Sequence, residues 1–226
     1  MFMSGKLIVI EGLDGSGKAT QTECVFDYLI NKKINCRRIS FPNYDSPSSA
    51  LVKMYLGGEF SDSPGDVNAY AASAFYAVDR CAGFLKDWKA DYDNGCLLLA
   101  DRYATSNAIY QRGKLDEAER DSFLDWTEDF EYRKLGVPKP DLVISLDMSV
   151  EVSQKLMSKR YHGDESKKDI HECNVEFLRE CRSSAMYAAK RLGWVVVKCD
   201  DGVTPRSIDD ISRDIQKIID NMIDRC

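Results

Sequence analysis

The chain has 226 residues, 44% of them hydrophobic and 30% charged, with a formal net charge of −6 and a pI near 5.1. This is the composition of a soluble globular protein with enough sequence to bury a sizeable core, and its acidic balance excludes general binding to nucleic acid. No apolar run approaches the ~20 residues of a membrane span. Met1 to Ile10 lacks the apolar region of a signal peptide, and the eight scattered cysteines, with no C-x-x-C pair, read as reduced thiols of the cytoplasm.

The first element, Leu7-Ile8-Val9-Ile10, predicts a short buried strand. It meets a glycine-rich turn, Gly12-Leu13-Asp14-Gly15-Ser16-Gly17, then Lys18, and a helix is expected from there to about Lys33. Strand, glycine turn, lysine and helix make a phosphate cradle: glycines let successive N–H groups converge on one anion, and the helix N-terminus adds positive potential. Lys18 is placed to reach the outer phosphates. The spacing fits G-x-x-x-x-G-K-[ST] except at its last place, where Ala19 cannot offer magnesium a hydroxyl and Thr20 lies one step further along.

A second strand, Cys36 to Phe41, leads into a turn-rich loop, Phe41 to Ser49. Helices are expected over Ser49–Leu56 and from Ser63-Pro64-Gly65-Asp66 to about Ala90. Cys96–Ala100 predicts a third strand ending at Asp101, with helical stretches at Thr105–Gln111 and Asp116–Lys134. Leu142–Leu146 is a fourth strand, followed by helices over Val150–Arg160 and Asn174–Arg191; Trp194–Cys199 is a fifth. Ile208, Ile211, Ile215, Ile218, Ile219 and Met222 space apolar residues for a final amphipathic helix. Five short apolar strands separated by helices predict an α/β fold: a five-stranded parallel sheet with helices on both faces. No linker or repeat divides the chain, so 1–226 is expected to be one domain, with the polar segment 160–172 as a lid.

Ligands of such sheets lie beyond the carboxyl ends of the strands. Asp101 is there, where a carboxylate can hold magnesium directly or through water, and Arg102 is placed to neutralise a phosphate. A strand-end aspartate capping the next helix beside a surface arginine would give the same pattern. Asp147, after the fourth strand, is a rival metal carboxylate, and His162, His171 and Cys173 are a weak zinc pattern.

GLDGSGKAT near the N-terminus and DRYATSNAIYQ in mid-chain resemble the thymidylate kinases, the dTMP-phosphorylating P-loop nucleoside monophosphate kinases. FPNY resembles the family's loop after the second strand, Tyr76-Ala77-Val78-Asp79-Arg80 its aromatic–arginine helix, and Asp169-Ile170-His171-Glu172 the D-x-x-E of its lid. The resemblance covers essentially the whole chain. It implies transfer of the ATP γ-phosphate to dTMP with Mg²⁺, and a homodimer. Gly12, Gly15, Ser16, Gly17, Lys18, Ala19 and Thr20 would hold ATP. Asp14 would accept the 3′-hydroxyl of dTMP and help order the magnesium shell, Arg102 would bridge the acceptor phosphate and the transferred group, and Tyr44 would donate to the dTMP phosphate. Tyr76, or its neighbour Phe75, would stack on thymine, with Arg80 at thymine O4. Ser106, Asn107 and Gln111 would meet the base edge, and Tyr110 would crowd the sugar 2′ position. Some family members carry an arginine in the glycine loop; its absence here shifts the cationic help to the lid, where Arg160 is favoured over Lys159, Lys167 and Lys168. Other readings of the same motifs are a kinase for another nucleotide or deoxynucleoside, and a nucleotide-sensing P-loop protein without turnover.

Overall fold

A computed structural model describes residues 5–164 and 169–224. The strands are β1 (Leu7–Gly12), β2 (Cys36–Ser40), β3 (Leu97–Asp101), β4 (Leu142–Asp147) and β5 (Val195–Lys198). They form one five-stranded parallel sheet in the order β2-β3-β1-β4-β5. The helices are α1 (Lys18–Asn31), α2 (Ala50–Leu56), α3 (Ala69–Gly83), α4 (Lys89–Asp93), α5 (Ser106–Tyr110), α6 (Arg120–Glu128), α7 (Val150–Arg160), α8 (Val175–Leu192) and α9 (Ile208–Ile223).

Side chains alternate across a strand, and β1 divides its apolar residues between the two faces. Leu7 and Val9 enter a cluster with Phe41, Trp88, Tyr103, Ile109 and Leu178. Ile8 and Ile10 enter another with Val25, Leu29, Ile144, Ile211, Ile215 and Ile219. Each fully buried side chain of this kind contributes about 1.5–3 kcal/mol, an upper figure because the unfolded chain already shields some area.

Element boundaries differ from the sequence expectation in instructive places. The long helix begins at Ala69 rather than at Ser63, because the Asn68 side chain caps it by accepting from the Ala71 N–H at 2.8 Å. It continues into α4 through a π-helical turn at Phe84–Trp88. The stretch expected as one helix over Asp116–Lys134 is a short 3₁₀ turn, then α6, then a second π-helical turn at Asp129–Lys134. In α9 Ile211, Ile215 and Ile219 are buried as the spacing predicts, whereas Ile208, in the first turn, is exposed.

The parallel sheet sets the site. β1 and β3 are neighbours, with Ile10 paired to Asp101. Their carboxyl ends therefore deliver the glycine turn and the Asp101-Arg102 pair side by side.

Candidate active site

The turn from Leu13 to Gly17 folds back over the start of α1. Gly17 caps that helix in a left-handed conformation, and among the described residues no side chain caps its first N–H groups, which leaves them for an anion. Lys18 is buried, and its Nζ donates to the Leu13 carbonyl at 2.7 Å. Burial lowers its pKa to about 8, with the Arg102 charge adding to the effect and Asp14, Asp101 and Glu11 opposing it. Ala19 and Thr20 are exposed at the helix start, and the Ser16 hydroxyl is buried with no partner among the described residues.

Gly15 accounts for the absence of an arginine in this loop. Its φ is +75°, and a Cβ there would lie 2.7 Å from the Ser153 carbonyl and 2.8 Å from Met157 Cγ. Helix α7 thus fills the space that a side chain would need. Arg160 is the last residue of the same helix, one turn beyond Met157, exposed and beside Tyr161 and Glu172.

On the other side of Asp14 a cavity opens. Tyr44, Tyr76, Arg80, Arg102, Ser106, Asn107, Tyr110 and Gln111 all line it, as does Asp14 itself. Phe75 does not: it packs against Tyr55 and Phe60. Adjacent helical residues point about 100° apart, so only one of the two aromatics can face the cavity, and it is Tyr76. Tyr44 stands half-exposed at the rim. Its loop is pinned by buried Asp79, which accepts from the Asn43 N–H at 2.8 Å and from the Ser48 hydroxyl at 2.6 Å.

Arg102 adopts a left-handed backbone conformation, φ 65°, and its guanidinium is ion-paired with Asp14. A non-glycine residue held there is costly and is found where surrounding structure enforces it. Tyr110 donates to the other Asp14 oxygen at 2.8 Å. Burial alone would raise the Asp14 pKa, but Arg102, Lys18 and Tyr110 together hold it well below the usual carboxylate range.

Both Asp14 oxygens, expected to help order a magnesium shell, are engaged in this arrangement. Asp101, the other expected metal carboxylate, is less encumbered. Its carboxylate has no hydrogen-bond partner among the described residues, and it stands in the field of Lys18 and Arg102. Asp147 is excluded as a rival because Arg182 holds it with two hydrogen bonds, at 2.8 and 3.1 Å. Among the described residues no group of three His, Cys, Asp or Glu side chains is arranged to hold a metal, so the zinc pattern has no support.

Three further expectations are modified. Ser106 lines the cavity, but its hydroxyl lies at 2.9 and 3.0 Å from the two Glu11 oxygens, so its proton is not offered to a base. Arg80 lines the cavity while its Nε and Nη2 engage Glu131. The segment 160–172 is only partly a solvated lid. His162, Gly163 and Asp164 are exposed, but His171 and Glu172 are buried, and Asp169 and His171 form part of the cavity wall. Lys167 and Lys168 lie outside the described residues. His171 stacks on Tyr110, with ring centroids 5.4 Å apart, and its Nε2 meets the Tyr55 hydroxyl at 2.8 Å. Burial and the Lys114 charge lower its pKa to about 3. Burial and the nearby Asp14 raise that of Asp169 to about 7.

Sequence reasoning does not find Glu11. This fully buried carboxylate accepts from the Tyr103 N–H at 3.2 Å and from the Thr105 hydroxyl at 2.7 Å, and so clamps the segment after β3 onto β1. Desolvation raises its pKa despite the Arg102 charge.

A family model described as thymidylate kinase matches residues 10–211. The chain belongs to the thymidylate kinase family. A thymidylate kinase of Mycobacterium tuberculosis is 30% identical over 203 residues, spanning 86% of this chain and 92% of the relative. That of Plasmodium falciparum is 27% identical over 214 residues, spanning 94% and 89%. The solved thymidylate kinase of Candida albicans shares the fold, with a TM-score of 0.68 at 22% identity, covering 96% of this chain and 92% of that one. Membership of the thymidylate kinase family makes the chain a phosphotransferase.

Proposed function

We propose that the chain transfers the γ-phosphoryl group of ATP to dTMP, giving ADP and dTDP, with Mg²⁺. The observation that carries this reading is the junction of the phosphate cradle and the cavity at Asp14 and Arg102. A donor phosphate at the free N–H groups of α1 would face an acceptor phosphate at Arg102. Lys18 would leave the Leu13 carbonyl for the donor phosphates. Arg102 would exchange part of its pairing with Asp14 for the acceptor phosphate, while Asp14 takes up the sugar 3′-hydroxyl. Tyr76 offers a ring face to thymine, and Arg80, Asn107 and the buried, unpartnered Gln111 carbonyl offer polar groups to its edge. Arg160, on the helix that packs against Gly15, supplies cationic help as the segment 160–172 closes. Asp101 would hold Mg²⁺ together with phosphate oxygens and water; the metal when bound neutralises charge on the phosphates. Positioning and preorganised charge then supply most of the acceleration.

The reading extends to a homodimer of single kinase domains in the cytoplasm. Supporting the dimer, α3 and the turn after it expose Val78 and Leu85, at 52% and 64%, with Leu51 of α2 at 40%, an apolar set that a second copy would cover. No helix among the described residues is long and apolar enough to cross a membrane.

A coupled ADP-release assay across dTMP, dUMP, dCMP, dGMP and thymidine tests the activity. Turnover should be greatest with dTMP and depend on Mg²⁺. Preference for dGMP or thymidine, or no turnover with any of the five, would sink it. Sedimentation equilibrium, with a Val78→Glu variant as control, tests the dimer.

A further inference from the structure

Glu131 lies far in sequence from both the glycine turn and the aromatic–arginine helix, in the π-helical turn that follows α6. It is completely buried, as is Arg80, and the two form an ion pair. Its Oε2 accepts from Arg80 Nε at 3.2 Å, and its Oε1 accepts from Arg80 Nη2 and, at 3.3 Å, from Asn107 Nδ2. Both Arg80 and Asn107 line the cavity beside Asp14. One carboxylate therefore holds two of the groups that face the base.

The consequence is one of donor and acceptor sense. A carboxylate paired with a guanidinium only accepts hydrogen bonds, so Asn107 must turn its NH₂ toward Glu131. Its Oδ1, which has no partner among the described residues, is then left as an acceptor. Arg80 is fixed in the same way: Nε and Nη2 are taken, and Nη1 remains as a donor, with the guanidinium 6.0 Å from the Phe41 ring centroid and 5.8 Å from that of Tyr103. Among the groups lining the cavity, Arg80 thus keeps a donor and Asn107 an acceptor, both set by the same carboxylate. That pair matches a pyrimidine with a carbonyl at C4 and a proton on N3. It is mismatched to cytosine at both positions.

We infer that Glu131 is a specificity-determining positioning residue: through Arg80 and Asn107 it sets the cavity to accept a 4-oxo, N3–H pyrimidine nucleotide and to reject a 4-amino one. The inference rests on the proposed dTMP activity and adds to it a residue that does not touch the substrate.

The test is kcat/KM for dTMP, dUMP and dCMP in the parent, Glu131→Gln and Glu131→Asp. A glutamine amide must point an N–H at a donor of Arg80 or Asn107 whichever way it is turned. Arg80 is then dislodged, or Asn107 rotates to offer its NH₂ to the cavity. In Glu131→Gln the dTMP/dCMP ratio should fall by about tenfold or more, mainly through a higher KM for dTMP, because a mispaired polar group discriminates poorly. The dTMP/dUMP ratio should stay within about twofold of the parent, since the two bases share the edge being read. Glu131→Asp keeps an acceptor and should lose less selectivity; if the glutamine variant does not fold, a drop in dTMP/dCMP alone in the aspartate variant supports the inference in its place. An unchanged dTMP/dCMP ratio in a folded variant, or a parallel fall in both ratios, would reduce Glu131 to a structural clamp and overturn the inference. A parent enzyme that turns over none of the three nucleotides would instead remove the dTMP activity, and this inference with it.

Discussion

The Arg102 guanidinium is ion-paired with the Asp14 carboxylate, which ties the end of β3 to the turn after β1. The charge of Arg102 is thereby offset by that carboxylate; in the proposed reaction an acceptor phosphate would compete for it. Lys18, 4.0 Å from the same Asp14, is left as the cation of the glycine turn. Lys18→Ala should lower kcat by ~10²-fold or more, by analogy with removal of one preorganised electrostatic donor. The fold should survive, because the losses are one carbonyl contact and a long ion pair to Asp14, which keeps Arg102 and Tyr110 as partners. In the parent, kcat/KM for ATP should decline as pH rises past about 8, where the buried ammonium loses its proton. Near-normal turnover in folded Lys18→Ala would rule out the cradle.

Tyr110 lines the cavity, stacked on His171 and donating to Asp14 Oδ2, where the proposed reading puts the sugar. Tyr110→Phe removes only the hydroxyl and should raise the KM for dTMP. Tyr110→Ala also opens the 2′ side and should admit ribo-TMP better than the parent does. Steady-state kinetics with both nucleotides decide this: a ribo-to-deoxy ratio that does not move in Tyr110→Ala places the sugar elsewhere.

Asp169 gives a stability prediction with a definite sign. Folded, it holds its proton up to about pH 7; unfolded, it releases it near 3.8. Between these values the folded state binds the extra proton, so raising the pH through the window removes stability, by at most ~1.4 kcal/mol per pH unit. Asp169→Asn keeps an oxygen to accept from the His171 and Glu172 N–H groups, at 2.8 and 2.9 Å in the parent, and carries no titrating charge. Its Tm in the absence of nucleotide should match the parent near pH 4 and exceed it near pH 7.5. A gap that is constant across the range would contradict the assignment.

Arg160→Ala should depress kcat with little change in dTMP affinity, because its contact with the phosphates is made chiefly in the transition state. Arg160→Lys should recover part of the rate, since a point charge lacks the planar fork. Separately, Ala19→Ser restores the hydroxyl missing from the loop. If that hydroxyl limits metal binding, the Mg²⁺ concentration for half-maximal rate should fall; an unaltered titration would mean that water already serves in its place.

The features readable from the sequence are those carried by short-range pattern. Strand, glycine turn, lysine and helix are contiguous, and their spacing alone places Lys18 and the free N–H groups. The five strands declare themselves by apolar runs between turn residues. What escapes depends on partners brought from afar. Glu131 sits in a charged run, Glu128 to Lys134, that reads as a solvated helix face, yet it meets Arg80 across 51 positions of sequence. Glu11 is hidden in an apolar strand next to a glycine, and its clamp on Thr105 spans 94 positions. Ser106 reads as a base contact because nothing local betrays a carboxylate beneath it. The choice between Phe75 and Tyr76 turns on helix rotation about its axis, which two adjacent aromatics leave undetermined. His171 and Glu172 belong to a polar segment whose composition argues for water, yet His171 is buried in the cavity wall and Glu172 against the Tyr161 hydroxyl.

The close packing of α7 on Gly15 bears on how such a kinase can change over evolutionary time. The helix that obstructs a side chain in the loop also carries Arg160, the cation proposed to stand in for one. An arginine introduced in the loop would collide with Ser153 and Met157, while a retreat of α7 to make room would withdraw Arg160 before the newcomer could act. If Arg160 acts as proposed, neither change made alone would keep a cation at the phosphates. A chimera that takes only the loop from a relative with an arginine there should be inactive, and one that takes loop and helix together should recover.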